Sequence, residues 1–227
     1  KRHDGLNIAR GAHAVDESVV KTEINAKGNA VMKLESLARM NGFESSGAHS
    51  ALFDAELTVK VLGLIKKNQP QTWDTFLRTA NKADTEVIIK KEKIFTLAEY
   101  HFGKNYRYVV APLHPKYCIH PIYQWGQAVD LKVDPVPLLN MSVSELKVAI
   151  KKLKFLKTIR SNKAPIILEA SYGLQVEPYS KLDPNLIRER ANLVTSNEKF
   201  SQNILIALRE NAEEKAQFDS QEDLLAE

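Results

Sequence analysis

Cysteine is nearly absent from the sequence, since Cys118 is the one example among 227 residues. A lone thiol excludes an intramolecular disulfide framework and a structural zinc site built from several cysteines. Long apolar runs are missing too, and none approaches the ~20 residues that a membrane-spanning helix needs. With 44% hydrophobic and 26% charged residues, the chain is predicted to be a globular protein of the reducing cytoplasm, without a membrane partner.

An initiator methionine and a signal peptide are also missing, because the sequence opens with polar residues from Lys1. We therefore expect a piece of a longer protein. Residues 1–30 show neither helical nor strand spacing, and we expect mostly loop there.

The net charge of +4 is unevenly distributed. Residues 141–163 hold seven basic residues and one acid, whereas residues 209–227 hold seven acids and two basic residues. The basic segment favours binding to phosphate backbones. The acidic end is expected to form a solvated helix face or tail.

Apolar spacing predicts an α+β fold in which helices come first, then strands, then helices. Helices are predicted at 31–43, 50–67, from Pro70, at 142–156, from Asp183 and at 197–216; strands at 93–102, 106–113, 126–133 and 164–171. Two buried helix stripes are expected, one of Ala51, Ala55, Val59 and Leu62 and one of Leu146, Ile150 and Leu153.

The segment "GAHSALFDAELT" places His49 five residues before Asp54, near a helix start. Two helical residues so spaced point about 140° apart, so both can face one site only if His49 precedes the helix. The loop before Ser50 allows this, since it offers candidate N-cap residues. Alternatively, the two are ordinary solvated residues at a helix start.

Further candidate contacts lie in the strands and the basic helix. Tyr100, Phe102, Tyr106 and Tyr108 alternate with Lys104 and Arg107, a pattern that suits stacking on unpaired bases but also fits a barrel core. Lys147, Lys151 and Lys154 form a basic stripe, which binds phosphates or is simply solvated. Lys82 and Arg209 are additional candidates for backbone contacts, while "HPKYCIH" around Cys118 fits a surface loop better than a zinc site.

Two neighbouring segments carry a family resemblance. "KLESLARMNGF" followed by "SSGAHSALFDAELTVKVLGLI" resembles the third exonuclease motif of DnaQ-like, DEDDh-type 3′-to-5′ exonucleases. The later blocks "YHFGKNYRYVVAPLHP", "NKAPIILEA" and "NILIALREN" resemble the SH3-like part of the exodeoxyribonuclease I family. The resemblance runs from about Lys33 to Glu210.

The resemblance implies roles for three residues. His49 matches the general base that deprotonates the attacking water, Asp54 a carboxylate that holds divalent metal, and Lys33 a basic substrate contact. Hydrolysis of a phosphodiester by two Mg²⁺ ions needs hard oxygen ligands and a base that titrates near neutrality, which suits these residue types.

The family's first motif, Asp-x-Glu on a buried strand, and its second aspartate are not found. "FDAEL" at 53–57 lies within the predicted helix, and "ADTEV" at 83–87 follows the third motif, so we reject both. The Mg²⁺ site would then be completed by residues outside this chain.

The resemblance implies the helical C-terminal part of an RNase H-like exonuclease domain over 1–69, an SH3-like β-barrel domain with helices over 70–208, and an acidic helical tail over 209–227. The implied activity is 3′-to-5′ hydrolysis of single-stranded DNA to nucleoside monophosphates. Single-stranded DNA is the expected partner, and a single-stranded-DNA-binding protein is a further candidate. The alternative is a non-catalytic module that binds single-stranded nucleic acid.

Overall fold

The computed structural model describes residues 4–45 and 50–225. Its helices are α1 (Gly5–Val15), α2 (Leu34–Met40), α3 (Ala51–Asn68), α4 (Pro70–Leu77), α5 (Lys82–Lys91), α6 (Val143–Leu153), α7 (Ala170–Leu174), α8 (Pro184–Ser196) and α9 (Glu198–Leu225). Its strands are β1 (Glu23–Ile24), β2 (Ala30–Val31), β3 (Phe95–His101), β4 (Lys104–Pro112), β5 (Gly126–Asp130), β6 (Leu156–Ile159) and β7 (Ile166–Leu168). The mixture of helix and sheet predicted from the sequence is confirmed.

The chain divides into two compact units. The first unit comprises residues 1–85, 96–108 and 161–176, and the second comprises 86–95, 109–160 and 177–227. None of the helices in the described ranges combines the length and apolarity needed to cross a membrane.

Five strands form one sheet in the order β6-β5-β4-β3-β7. Within the second unit β5 pairs antiparallel with β6, aligning Gly126 with Ile159. Within the first unit β3 pairs antiparallel with β7, aligning Leu97 with Ile167. The described residues form no closed barrel, because β6 and β7 are the two edges of an open sheet; the SH3-like barrel is not confirmed.

Helix α1 occupies a segment for which we predicted loop, and that prediction is wrong. The carboxylate of Asp4 caps the helix by accepting hydrogen bonds from the backbone N–H groups of Leu6 and Asn7, at 3.0 and 3.2 Å. Its buried face is made largely of small residues, among them Ala9 and Ala12. Small residues contribute little to an apolar periodicity, so the helix left a weak signal.

Helix α3 confirms the predicted helix but buries a different face. Ser50 is its N-cap and accepts a hydrogen bond from the N–H of Phe53 at 3.2 Å. The buried side chains are Leu57, Val61 and Ile65, which join the core of the first unit. The predicted stripe is wrong, because Val59 is 69% exposed: the helix has apolar residues on more than one side, and the core covers only one.

The hairpin between β3 and β4 turns at two residues with positive φ, Phe102 at 52° and Gly103 at 79°. The carbonyl of Gly103 accepts a hydrogen bond from the N–H of Ala30 at 3.1 Å, and the Tyr100 hydroxyl donates to the carbonyl of Ala30. A side chain at position 103 would overlap Asn29. The hairpin tip is therefore packed closely against the β1–β2 ribbon.

Helix α6 begins as predicted, with a capping box between Ser142 and Glu145. Its predicted buried stripe holds for Leu146, which is fully buried, but not for Leu153, which is 45% exposed near the end of the helix. The helix packs against α9, whose Glu210 and Glu214 bind the Lys147 ammonium at 3.3 and 2.5 Å.

A buried carboxylate organises the core of the second unit. The Tyr179 hydroxyl donates a 2.6 Å hydrogen bond to Oδ1 of Asp130, whose side chain is fully buried. The Lys132 ammonium lies 3.3 Å from Oδ2. A buried carboxylate that loses one of these donors keeps the cost of its desolvation without the compensating bond.

We therefore expect Tyr179→Phe to lower the free energy of unfolding by about 1–3 kcal/mol. Tyr123→Phe is the matched control, because its hydroxyl lies on an exposed ring of the same unit. Urea denaturation followed by circular dichroism measures both. Equal midpoints for the two variants would show that the Asp130 contact contributes nothing.

Candidate functional site

Asp54 lies in the first turn of α3, on a helix that the first unit holds firmly. Its backbone N–H donates to the Ser50 carbonyl at 3.0 Å, and its carbonyl accepts from Thr58 Oγ1 at 2.8 Å. The side chain is half-buried. Unpaired N–H groups at a helix N-terminus attract acidic side chains, so an aspartate is well placed in this turn.

His49 lies outside the described residues. Among the described residues α3 begins at Ala51, with Ser50 as its N-cap. The predicted role of His49 stays a prediction.

A cleft of about 1200 Å³ runs beside the same helix. Thr58, one turn after Asp54, lines it together with Val61 and Leu62 of α3. Lys33 lines it as well, at the N-cap position of α2, where its backbone is extended and its side chain is exposed. The structure thus brings one predicted substrate contact close to the helix that carries Asp54.

The cleft is electropositive. Its charged lining residues among those described are Arg10, Lys27 and Lys33, and no carboxylate lines it. The Arg10 guanidinium lies 5.0 Å from the centre of the Tyr100 ring. Burial raises the pKa of Tyr100, and nearby Arg10 opposes that shift, so the ring stays neutral at physiological pH. The buried Nε of Arg10 has no hydrogen-bond partner in the described structure.

The predicted tyrosines Tyr106 and Tyr108 lie two residues apart on β4, on the same face of the strand. The rings of Tyr106 and Tyr108 are almost parallel, with centroids 6.0 Å apart, and the His101 ring lies 6.2 Å from Tyr106. Tyr106 is 37% exposed and Tyr108 is half-buried. This placement leaves Tyr106 accessible to a ligand and does not fit the alternative of a closed barrel core.

Known proteins resemble this chain in sequence and in structure, although no family model matches it. It is 27% identical over 226 residues to exodeoxyribonuclease I of Buchnera aphidicola subsp. Acyrthosiphon pisum, covering 92% of this chain and 52% of that protein. It is 28% identical over 185 residues to exodeoxyribonuclease I of Escherichia coli K12, covering 75% of this chain and 38% of the relative.

Solved structures of exonuclease I match the fold of this chain. The chain superposes on E. coli exonuclease I in complex with a dT13 oligonucleotide with a TM-score of 0.66 at 22% identity, covering 91% of this chain and 47% of the other. It matches an ExoI/SSB-Ct complex equally well, at 23% identity over 91% of this chain and 46% of the other.

The chain is similar to exodeoxyribonucleases I over most of its length. The resemblance predicted from the sequence is thereby confirmed. The chain spans about half the length, or less, of the curated exodeoxyribonucleases I that it matches.

The basic residues predicted to hold DNA differ in their surroundings. Lys147 is engaged by Glu210 and Glu214, whereas Lys151 is exposed on α6. Lys154 ends α6 in a left-handed conformation, with φ of 50°, so it leaves the helical stripe on which we placed it. Arg209 pairs with Glu213 at 3.1 Å.

Lys82 is exposed at the first residue of α5, a helix that sequence spacing did not reveal. The same helix contains Asp84 and Glu86 of the rejected "ADTEV" segment. Asp54 and Glu56 of "FDAEL" lie on α3. Neither segment is the buried strand that the first exonuclease motif requires, so both rejections are confirmed.

Metal ligands are sparse in the described residues. Nowhere in 4–45 and 50–225 do three His, Cys, Asp or Glu side chains come together as a metal site. Asp54 supplies one carboxylate at the start of α3. A carboxylate is the right type of ligand for Mg²⁺, but one carboxylate is well short of the six oxygens that usually coordinate the ion.

The histidines around Cys118 have local structural contacts. His120 Nδ1 accepts hydrogen bonds from the N–H groups of Ile122 and Tyr123, at 3.1 and 3.2 Å. The Cys118 thiol is buried, donates to the Pro115 carbonyl at 3.4 Å, and has its pKa raised mainly by burial. These contacts fix the loop in the second unit.

Sequence reasoning did not select Arg10, and it named Phe102 only as one of four aromatic residues in the strands. Arg10 lay in the segment predicted to be loop. Phe102 belonged to the aromatic series in the sequence, but only its exposure on the hairpin tip, at 92%, separates it from ordinary core residues.

Proposed function

We propose that this chain forms part of a 3′-to-5′ exodeoxyribonuclease that hydrolyses single-stranded DNA to nucleoside monophosphates with Mg²⁺. The observation that carries the proposal is the position of Asp54 in the first turn of α3, beside a cleft lined by three cations, one of which is Lys33. A phosphodiester chain and a carboxylate metal ligand both fit that arrangement.

Each residue has a distinct role in the proposal. His49, just before α3, accepts the proton of the attacking water. Asp54 would hold Mg²⁺, which when bound lowers the pKa of water and stabilises charge on the phosphodiester. Lys33 binds a substrate phosphate at the cleft. The other carboxylates would come from segments outside residues 1–227, as the family resemblance implies.

The remaining predicted contacts would hold the strand. Tyr106 and Tyr108 offer rings on which any base can stack, and Lys82, Lys151, Lys154 and Arg209 offer charge for the backbone. We propose that β3–β7 and α6 belong to the family's SH3-like part and that residues 209–227 extend beyond it. The chain would act in the cytoplasm, where its one free thiol stays reduced.

Solved relatives suggest the partners. One is an exonuclease I bound to an oligonucleotide and another an ExoI/SSB-Ct complex. We extend both to this chain as proposals: single-stranded DNA as substrate, and a single-stranded-DNA-binding protein as partner. The alternative function, a non-catalytic module that binds single strands, is favoured by the lone carboxylate at the described site.

Binding of single-stranded DNA by the purified chain tests the proposal. We expect weak, sequence-independent affinity that falls steeply with salt, because cations displace counterions from the strand. Tyr106→Leu should cost about 1–3 kcal/mol of binding without changing the slope of log K against log salt. Lys151→Gln should make the slope shallower by about 0.7, the share of one phosphate contact.

Fluorescence anisotropy at several salt concentrations measures both effects. Lys66→Gln is the matched control, since Lys66 is an exposed lysine in the last turn of α3, at the end of that helix opposite Asp54. Equal affinity for duplex and single strand, or no change in any variant, would contradict the proposed DNA contacts.

A further inference from the structure

Phe102 has the most exposed large apolar side chain in the described part of the chain, at 92%. A bare aromatic ring in water gives up the hydrophobic stabilisation that burial would provide. Single exposed apolar residues are common on proteins, so exposure alone would not mark this ring as functional.

The backbone at Phe102 adds a second penalty. Its φ of 52° lies in the left-handed region, where bulky side chains are disfavoured and Asn, Asp or Gly fit best. With Gly103 at 79°, both central turn residues have positive φ, the arrangement in which hairpins prefer Asn-Gly. Backbone strain of this kind persists at functional sites, so an aromatic residue here calls for a functional reason.

The ring stands on a fixed support. Gly103, the next residue, is held to Ala30 by a 3.1 Å hydrogen bond, and the Tyr100 hydroxyl donates to the same residue's carbonyl. Gly103 lies so close to Asn29 that any side chain there would overlap it, so the tip is packed tightly against the ribbon. A rigid element presents a side chain to a ligand at lower entropic cost than a loose loop.

The surroundings identify the ligand. Phe102 lines the cleft that also contains Arg10, Lys27, Lys33 and, from α3, Thr58. An aromatic face beside cations, with no carboxylate among the described lining residues, is complementary to an unpaired base joined to phosphates. Arg10 contributes a guanidinium to the lining of the cleft, and a guanidinium pairs well with phosphate oxygens.

We propose that Phe102 is the stacking platform for one unpaired base of single-stranded DNA in this cleft, with Arg10 binding an adjacent phosphate. The inference rests on the proposed function, because it assumes that single-stranded DNA enters the cleft beside Asp54. Stacking on Phe102 would hold one base of the strand without selecting a sequence, since every base has a π-face.

Three variants of the 227-residue chain test the platform. Phe102→Asn removes the ring and suits the left-handed backbone, so it should keep or raise the melting temperature. Phe102→Trp keeps an aromatic face. Val136→Asn is the control, since it removes an exposed apolar side chain that has no ring, from the second unit.

The probe is oligothymidylate carrying a single 2-aminopurine at successive positions, read by anisotropy and by quenching of that base. We expect wild type and Phe102→Trp to quench one position strongly. Phe102→Asn should bind about tenfold more weakly, the loss of one stacked base, and should lose that quenching. Val136→Asn should behave as wild type, and an abasic residue at the quenched position should weaken wild type but not Phe102→Asn.

Failure of the inference and failure of the proposed function give different results. If wild type binds the probe and Phe102→Asn binds it equally well with the same quenching, the platform is wrong and the proposed function stands. If wild type does not bind single-stranded DNA at any salt concentration, both the proposed function and the proposed stacking role of Phe102 are wrong.

Discussion

Replacing His49 by alanine should lower kcat by about 10²–10⁴-fold in an exonuclease that joins residues 1–227 to the family's upstream carboxylate motifs. The expected loss is that of a general base, because the attacking water would then have to give its proton to solvent. Affinity for single-stranded DNA should stay almost unchanged, since the proposed strand contacts lie elsewhere in the cleft and on β4.

Steady-state release of mononucleotides separates kcat from KM in this experiment. His114→Ala, a second-unit histidine, is the control and should leave turnover unchanged. Asp54→Ala should lower activity and shift its Mg²⁺ dependence to higher concentrations, whereas Glu56→Ala, an exposed carboxylate two residues on, should do neither. Wild-type turnover in His49→Ala or Asp54→Ala would disprove the motif assignment.

Purified alone, the 227-residue chain should release essentially no mononucleotides from labelled single-stranded DNA in Mg²⁺. The reason is the ligand count, because two metal ions cannot be held in position by Asp54 without further carboxylates nearby, and the described residues gather none. Adding the upstream segment should restore release by orders of magnitude.

Contaminating nuclease is the main confounder, so activity must be followed through repeated purification. Release that persists, depends on metal and disappears in Asp54→Ala would overturn this expectation. Binding without release would support the proposed division between strand-holding residues in this chain and metal ligands beyond it.

The sequence revealed the larger elements wherever local chemistry was strong. The predicted helix starts at 50 and 142 agree with the observed N-caps of α3 and α6, although the candidate caps for α3 had been placed before Ser50. Helix α1 was missed although Asp4 is a good N-cap, because its buried Ala residues gave no apolar stripe. Local signals of this kind depend on side-chain size as much as on position.

The choice of buried face needs tertiary information. On α3 the sequence offered two apolar faces, and only the packing of neighbouring helices selects the one with Leu57 and Val61. Each compact unit also joins three separate stretches of chain, and such long-range assembly leaves no trace in local periodicity.

For the candidate site, the sequence predicted the carboxylate but not the cleft. Asp54 and Lys33 follow from a motif that is continuous in sequence. Arg10 and Phe102 join the cleft only through folding, since 92 residues separate these two along the chain. Residues that reach a site from distant segments can be found only once the fold is known.

The lone thiol of Cys118 has a practical consequence for labelling. The side chain is fully buried, and its raised pKa keeps it protonated at neutral pH, so maleimides should react with it only when the second unit opens. A cysteine introduced on the surface, as in Val136→Cys, would then carry a dye without prior removal of Cys118. The rate at which the native thiol reacts with maleimide would then report how often the second unit opens.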